Sequence, residues 1–252
     1  MSETNNALNV FINQCHNILI NSKFSIPLQY LNTRGLNEES IALHKIGYCP
    51  INLDIPEEIR YDKQNDYSYF LKDRIIVPVL SEFSNIVGFA TRKPSYEPNN
   101  TWWNFPFKKG NHLFLLNKSR KNVFNKNKMY LVEGYMDALV LYQYGLNNVC
   151  GLMGTMLSQR KIGLLARYCN NVCLCFDSDK NEAGQKAQNK AIYMFKEFDF
   201  CESISVIDLP IGIDPDNYII ENGMDKFLSL ERKMSDIEIN KVHRLVKSEM
   251  KK

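Results

Sequence analysis

The sequence predicts an α/β protein: a parallel sheet with flanking helices, preceded by a smaller α+β basic subdomain. Three observations carry that prediction. From Met129 onward, short apolar runs alternate with amphipathic segments, the pattern of strands and helices wound into a parallel sheet. Upstream, "RIIVPVLSEFSNIVGFATRK" at 74–93 sets two β-branched runs around a polar turn, which reads as a hairpin. Between these regions, residues 92–128 hold nine basic side chains (Arg92, Lys93, Lys108, Lys109, Lys118, Arg120, Lys121, Lys126, Lys128) against one acid, Glu97, a net +8.

The chain's 252 residues, 44% of them hydrophobic, are enough for one large core or two smaller ones. The first 25 residues read as a helix, with apolar positions at Leu8, Phe11, Ile12, Cys15, Ile18 and Leu19. Two short helices follow around a turn at Arg34-Gly35, the second capped by Asn37 with Glu38 and Glu39 in its first turn. Residues 50–70 are polar and rich in turn formers, so a loop is expected there. Pro78 places the first hairpin strand at an edge or a bulge.

Beyond Met129 the expected order is strand "MYLV", ending at Glu133-Gly134; helix "YMDALVLYQY", stopped by Gly145; strand "NNVCGL"; helix "LSQRKIGLLARYC"; and strand "NVCLCF". A helix over 182–197, strand "SISVIDLP", helix "PDNYIIENGMDKFLSL" and one amphipathic C-terminal helix complete it. The domains expected are a basic N-terminal subdomain at 1–128, the parallel-sheet domain at 129–232 and a helical tail at 233–252.

No apolar run approaches the roughly 20 residues needed to cross a bilayer, and the polar start does not resemble a signal peptide. A cytoplasmic protein with no membrane association is expected. The seven cysteines make an odd count, lie mostly in apolar segments and show no paired Cys/His spacing. They read as reduced core residues, and no zinc site is expected.

Ligands of open parallel sheets bind at the C-terminal strand ends, and acids gather there. Glu133 follows the first strand; Asp177 and Asp179 follow the third, and their two-residue spacing aims both carboxylates to one side of extended chain. The fourth strand ends at Asp208, and the next loop carries Asp214 and Asp216. Up to six carboxylates thus converge on one edge. Like charges at close range resist joint ionisation, and a bound hard cation, Mg²⁺ or Mn²⁺, resolves the conflict. Such an ion bridges phosphate oxygens and supports phosphoryl or nucleotidyl transfer. Taken singly, each acid reads first as a helix cap; taken with the basic segment, they point to metal-dependent nucleic-acid chemistry. Trp102, Trp103, Phe105 and Phe107 interleave with the lysines, a mixture that suits phosphate neutralisation with base stacking. "GLMGT" at 151–155 also follows a strand, but it lacks both the dinucleotide and the Walker signatures.

"LVEGYMDALVLYQYGLNNVCGLMGT", "FDSDKNEAGQKA" and "LPIGIDPDNYI" resemble, in order and spacing, the three acidic motifs of the TOPRIM domain in bacterial DnaG-type primases. "YLNTRGLNEESIALHKIGYCP", "KDRIIVPVLSEFSNIVGFATRK" and "WWNFPFKKGNHLFLL" resemble the basic subdomain that precedes TOPRIM in the primase catalytic core. The likeness covers about residues 25 to 230, and a core lacking the family's zinc-binding and helicase-binding domains is expected. It implies a TOPRIM-type fold and a metal-dependent primase making short RNA primers on single-stranded DNA from NTPs. A replicative helicase or a separate zinc-binding protein is an implied partner. Carried over by position, Glu133, Asp177, Asp179, Asp214 and Asp216 are the metal-site acids, with Asp137 nearby. Arg34, Arg74, Arg92, Asn104, Lys108 and Lys109 are the nucleotide and DNA contacts. The sequence also suits a TOPRIM nuclease or a non-catalytic single-stranded-DNA-binding accessory protein.

Overall fold

The computed structural model describes residues 3–22, 25–62, 65–97, 100–154, 157–178 and 183–251. By Cα packing it divides into two units, 1–107 and 108–252.

In the first unit, α1 (Glu3–Asn21) is followed by α2 (Ile26–Thr33), α3 (Glu38–Leu43) and β1 (Gly47–Cys49). The Asn37 side chain accepts from the Ser40 N–H at 2.8 Å, the expected cap. The expected loop over 50–70 folds into α4 (Glu57–Arg60), the two-residue strands β2 (Tyr61–Asp62) and β3 (Asn65–Asp66), and α5 (Ser68–Leu71). The hairpin forms as β4 (Arg74–Leu80) and β5 (Ile86–Arg92), joined by β6 (Trp103–Asn104) in the antiparallel order β1-β4-β5-β6.

Strand β4 is therefore internal rather than an edge. Pro78 is accommodated because β1 pairs only as far as Ile76, and the register with β5 shifts between Val79 and Leu80. Phe11, Ile12 and Cys15 of α1 pack on Ile76 and Phe89 of this sheet.

The second unit opens with α6 (Leu116–Lys126) and then β7 (Lys128–Val132), α7 (Tyr135–Gln143), β8 (Val149–Gly151), α8 (Gln159–Leu165), β9 (Asn171–Cys175), α9 (Ala183–Glu197) and β10 (Ser203–Ile207). It continues through α10 (Pro215–Ser229), β11 (Glu231–Lys233) and α11 (Asp236–Glu249). The sheet order is β11-β10-β9-β7-β8, parallel except for β11.

The packing boundary thus lies upstream of residue 128. The reason is α6: its Leu116 and Val123 enter the second core, and Ser119 Oγ donates to the Val149 carbonyl at 2.7 Å. The expected tail is likewise part of this unit. Strand β11 extends the sheet, Met234 and Val246 are buried, and Tyr193 of α9 stacks on His243 of α11 at 5.0 Å.

One sheet face, with Met129, Leu131, Val172, Leu174, Ile204 and Val206, packs on α6, α8 and α9. The opposite face carries a polar bridge: Tyr130 Oη donates to Glu231 at 2.7 Å and the Lys128 ammonium pairs with the same carboxylate. All seven cysteines are free thiols, six of them buried. Burial pushes the Cys169 thiol up to about 11, so such cysteines act as small hydrophobes. Among the described residues no helix is long and apolar enough to cross a membrane.

Candidate active site

Because β7, β8, β9 and β10 run parallel, their C-terminal ends share one sheet edge. Glu133 leaves the end of β7 and Asp177 lies just beyond β9, the adjacent strand. They meet: Glu133 Oε1 accepts from the Asp177 backbone N–H at 3.3 Å. Helix α9 begins against them. A Cβ on Gly184 would overlap the Asp177 carbonyl and come within 3.3 Å of Glu133 Oε1, so only glycine permits this approach. The Gly212 N–H donates to the Ser178 carbonyl, tying the loop after β10 to the loop after β9. A cleft of about 400 Å³ between these loops is lined by Asp177, Ser178, Gly184, Gln188, Asp208 and Ile211, among others.

The expected convergence of six carboxylates is narrower than the sequence suggested. Asp208 turns to Arg232 at 2.8 Å. Asp216 is buried in the first turn of α10 with Oδ1 accepting from Asn217 N–H at 2.7 Å, and Asp214 is the half-buried N-cap of that helix. Asp137 caps α7 by accepting from Gly134 N–H at 3.2 Å. Asp179 lies outside the described residues. Among the described residues there is no group of three or more His, Cys, Asp or Glu arranged to hold a metal. The donor chemistry nevertheless fits a hard divalent cation: Glu133 and Asp177 offer carboxylate oxygens, and Gly184 leaves the space beside them free of a side chain.

The "GLMGT" loop does different work from a phosphate cradle. Its Leu152 and Gly154 N–H groups donate to the Val132 and Glu133 carbonyls at 2.9 and 3.0 Å, which leaves them committed to the β7 end.

Within the first unit, Arg74, Arg92 and Asn104 gather at one end of the sheet. The register Ile75↔Arg92 and Ala90↔Asn104 puts Arg92 and Asn104 on one face and Arg74 on the other. Arg92 lies over Trp102, 5.7 Å from the ring centroid. Arg74 is 7% exposed, lies 5.8 and 5.9 Å from the Tyr69 and Phe70 ring centroids, and burial draws its pKa down. Arg34 is the C-cap of α2.

The aromatics interleaved with the lysines are largely spent on packing. Trp103 stacks on Phe70 at 5.0 Å and Phe105 on Phe89 at 4.8 Å, while Phe107 fills the space that Gly88 leaves. The basic run is divided as well: Lys108 and Lys109 open the second unit, and Lys128 is paired internally.

Sequence reasoning missed Lys161. It stands on the apolar face of α8, three or four residues from Leu157, Leu164 and Leu165, and is fully buried. A lysine at a core-facing helical position was the available signal.

A Toprim-like family model matches residues 130–219. A DNA primase of Enterococcus faecalis is 30% identical over 85% of this chain and 38% of its own length. One from Staphylococcus epidermidis is 33% identical over 80% of this chain and 36% of its own. The chain thus spans less than two fifths of the length of these curated relatives. Among solved structures, the Escherichia coli primase catalytic core superposes with a TM-score of 0.78 at 25% identity, covering 96% of this chain and 84% of that one. A DnaG primase catalytic domain bound to single-stranded DNA gives 0.76 at 26% identity, covering 90% and 79%.

Proposed function

We propose that this chain, whose fold matches DnaG primase catalytic cores and whose sequence is similar to bacterial DNA primases, synthesises short RNA primers on single-stranded DNA. The observation that carries the proposal is the meeting of Glu133 and Asp177 at the ends of adjacent parallel strands. The relative solved with single-stranded DNA supports that template class. The reading includes Mg²⁺ or Mn²⁺ as cofactor, NTPs as substrates, a replicative helicase or a separate zinc-binding protein as partner, and the cytoplasm as the place of action.

Glu133 and Asp177 would hold the cation, joined by Asp179, by Asp214 at the N-cap of α10 and by Asp216 in its first turn. The bound ion supplies charge neutralisation and polarisation at the reacting phosphate. The reaction joins a nucleotide 3′-oxygen to the α-phosphorus of an incoming NTP and releases pyrophosphate. The chain contributes by orientation and fixed positive charge, the two effects that dominate phosphoryl chemistry. Lys108 and Lys109 attract the polyphosphate, while Arg34, Arg74, Arg92 and Asn104 hold template and nucleotide. Trp103 and Phe105 are packed against Phe70 and Phe89, which supports recognition by these polar groups rather than by those rings.

The test is incubation with single-stranded DNA, labelled NTPs and Mg²⁺ or Mn²⁺, beside an Asp177→Ala/Asp179→Ala double variant. Oligoribonucleotides from the unaltered chain alone support the proposal. Absence of RNA product, with or without an annealed primer or a helicase, overturns it, and degradation of the DNA would favour a nuclease.

A further inference from the structure

Lys161 poses a physical question. A buried ammonium is costly unless its donors are used, and Lys161 is fully buried with Nζ donating to the Leu152 carbonyl at 2.7 Å. Desolvation, helped by the charge of Lys109, draws its pKa down to about 8. A leucine or methionine would fill the same space at lower cost, so the position calls for something that only a donor supplies.

The carbonyl it holds opens an unusual turn. Met153 and Gly154 both adopt left-handed backbone, with φ of 63° and 66°. That region disfavours a methionine, so the surroundings must hold it there. Three contacts do so. Lys161 takes the Leu152 carbonyl, the Leu152 N–H donates to the Val132 carbonyl, and the Gly154 N–H donates to the Glu133 carbonyl. Upstream of the lysine, Ser158 Oγ caps α8 by accepting from the Lys161 N–H at 3.2 Å and donates to the Gly110 carbonyl at 2.7 Å, which fixes the start of the helix. A continuous path of hydrogen bonds therefore runs from α8 through the turn to the backbone of Glu133.

We propose that Lys161 is a positioning residue for Glu133: its buried ammonium clamps the 152–154 turn, and the turn fixes the peptide from which the Glu133 carboxylate projects. The inference rests on the reading of Glu133 as a metal-site acid. Hydrogen-bonded partners behind a metal ligand commonly set its effectiveness, their loss weakening metal affinity by roughly tenfold to a hundredfold.

The test uses the full chain with Lys161→Met, which keeps length and removes the donor, and Lys161→Arg, which keeps a cationic donor. Two quantities are read without DNA or NTP: amide exchange at Gly154 by NMR, and Mn²⁺ affinity by electron paramagnetic resonance. The expected result for Lys161→Met is at least about tenfold faster exchange at Gly154 and about tenfold weaker Mn²⁺ binding, with exchange in β4 and β5 unchanged. Lys161→Arg restores most of both. Unchanged Gly154 exchange in Lys161→Met overturns the proposal, as does acceleration spread evenly over the whole chain, which marks a residue that serves only core stability. If Lys161→Met does not fold, Lys161→Leu, which also lacks a donor, is read in its place by the same criteria. Glu133→Gln is the control. Should it bind Mn²⁺ like the unaltered chain, the metal reading of Glu133 falls, and Gly154 exchange alone decides for or against the clamp.

Discussion

At the scale of single residues, the account depends on a few atoms that admit little change. Gly184 is one, because any side chain there meets the backbone of Asp177. Gly184→Ala is expected to destabilise the chain by about 1–3 kcal/mol, the usual cost of overpacking, and to weaken Mn²⁺ binding; urea melts and a metal titration check both. Lys161 gives a pH signature. Its pKa is about 8 when folded and near the ordinary 10.5 when unfolded, so between those values the unfolded chain binds the extra proton and this group makes stability rise with pH. The urea midpoint of Lys161→Met should lack that rise, and parallel pH profiles for the two proteins would contradict it. Glu231 gives the same direction of slope in the acid range, here as a stabilisation that is lost at low pH. Burial acts to raise its pKa, but the Lys128 and Tyr130 hydrogen bonds outweigh burial and hold it below 4.5. The stability it contributes is present above that pH and lost as pH falls further, and Glu231→Gln should remove this acid-side loss.

At the scale of elements, local patterns set what the sequence made legible. The capped α3, the β4/β5 hairpin, α7, α8 and strands β7 to β10 were all readable because their periodicity and end signals agree with their packing. Strands β1 and β11 were not, since "GYC" and "ERK" lack the apolar run that marks the equally short β8, and each takes its identity from the strand it joins. Helix α6 displaced the expected boundary at residue 128 for a related reason. Its sequence "LNKSRKNVFNK" is polar enough for a linker, yet the spacing of Leu116, Ser119 and Val123 docks it beside β8. Helix α11 is fixed in place by a capping box in which Ser235 and Glu238 satisfy one another's backbone N–H groups. Ser235→Ala should cost about 1 kcal/mol in chemical denaturation and leave primer synthesis unchanged.

At the scale of the whole molecule, the two halves of the proposed chemistry belong to different packing units. The acids lie on the parallel-sheet edge, and Arg34, Arg74, Arg92 and Asn104 belong to the antiparallel unit. The acids at strand ends were legible from sequence because topology alone gathers Glu133 and Asp177. The fates of Asp208 and Asp137 were not, since the partners that claim them are a side chain on β11 and the backbone N–H of Gly134, the N-cap of α7. The net +8 of residues 92–128 overstated a single surface for the same reason, as Lys128 shows. Affinity for single-stranded DNA should fall steeply with salt, and Lys108→Ala/Lys109→Ala should flatten the log–log slope by about 1.4, near 0.7 per lost phosphate contact. An unchanged slope would remove these lysines from the nucleic-acid surface. The central claim, that the Glu133 and Asp177 edge joins nucleotides, is tested most directly by mass spectrometry of the first product formed on single-stranded DNA with NTPs and Mn²⁺. The account predicts a 5′-triphosphorylated dinucleotide from the unaltered chain, reduced about a hundredfold or more in Glu133→Gln; equal yield from both proteins, or no dinucleotide from either, would contradict it.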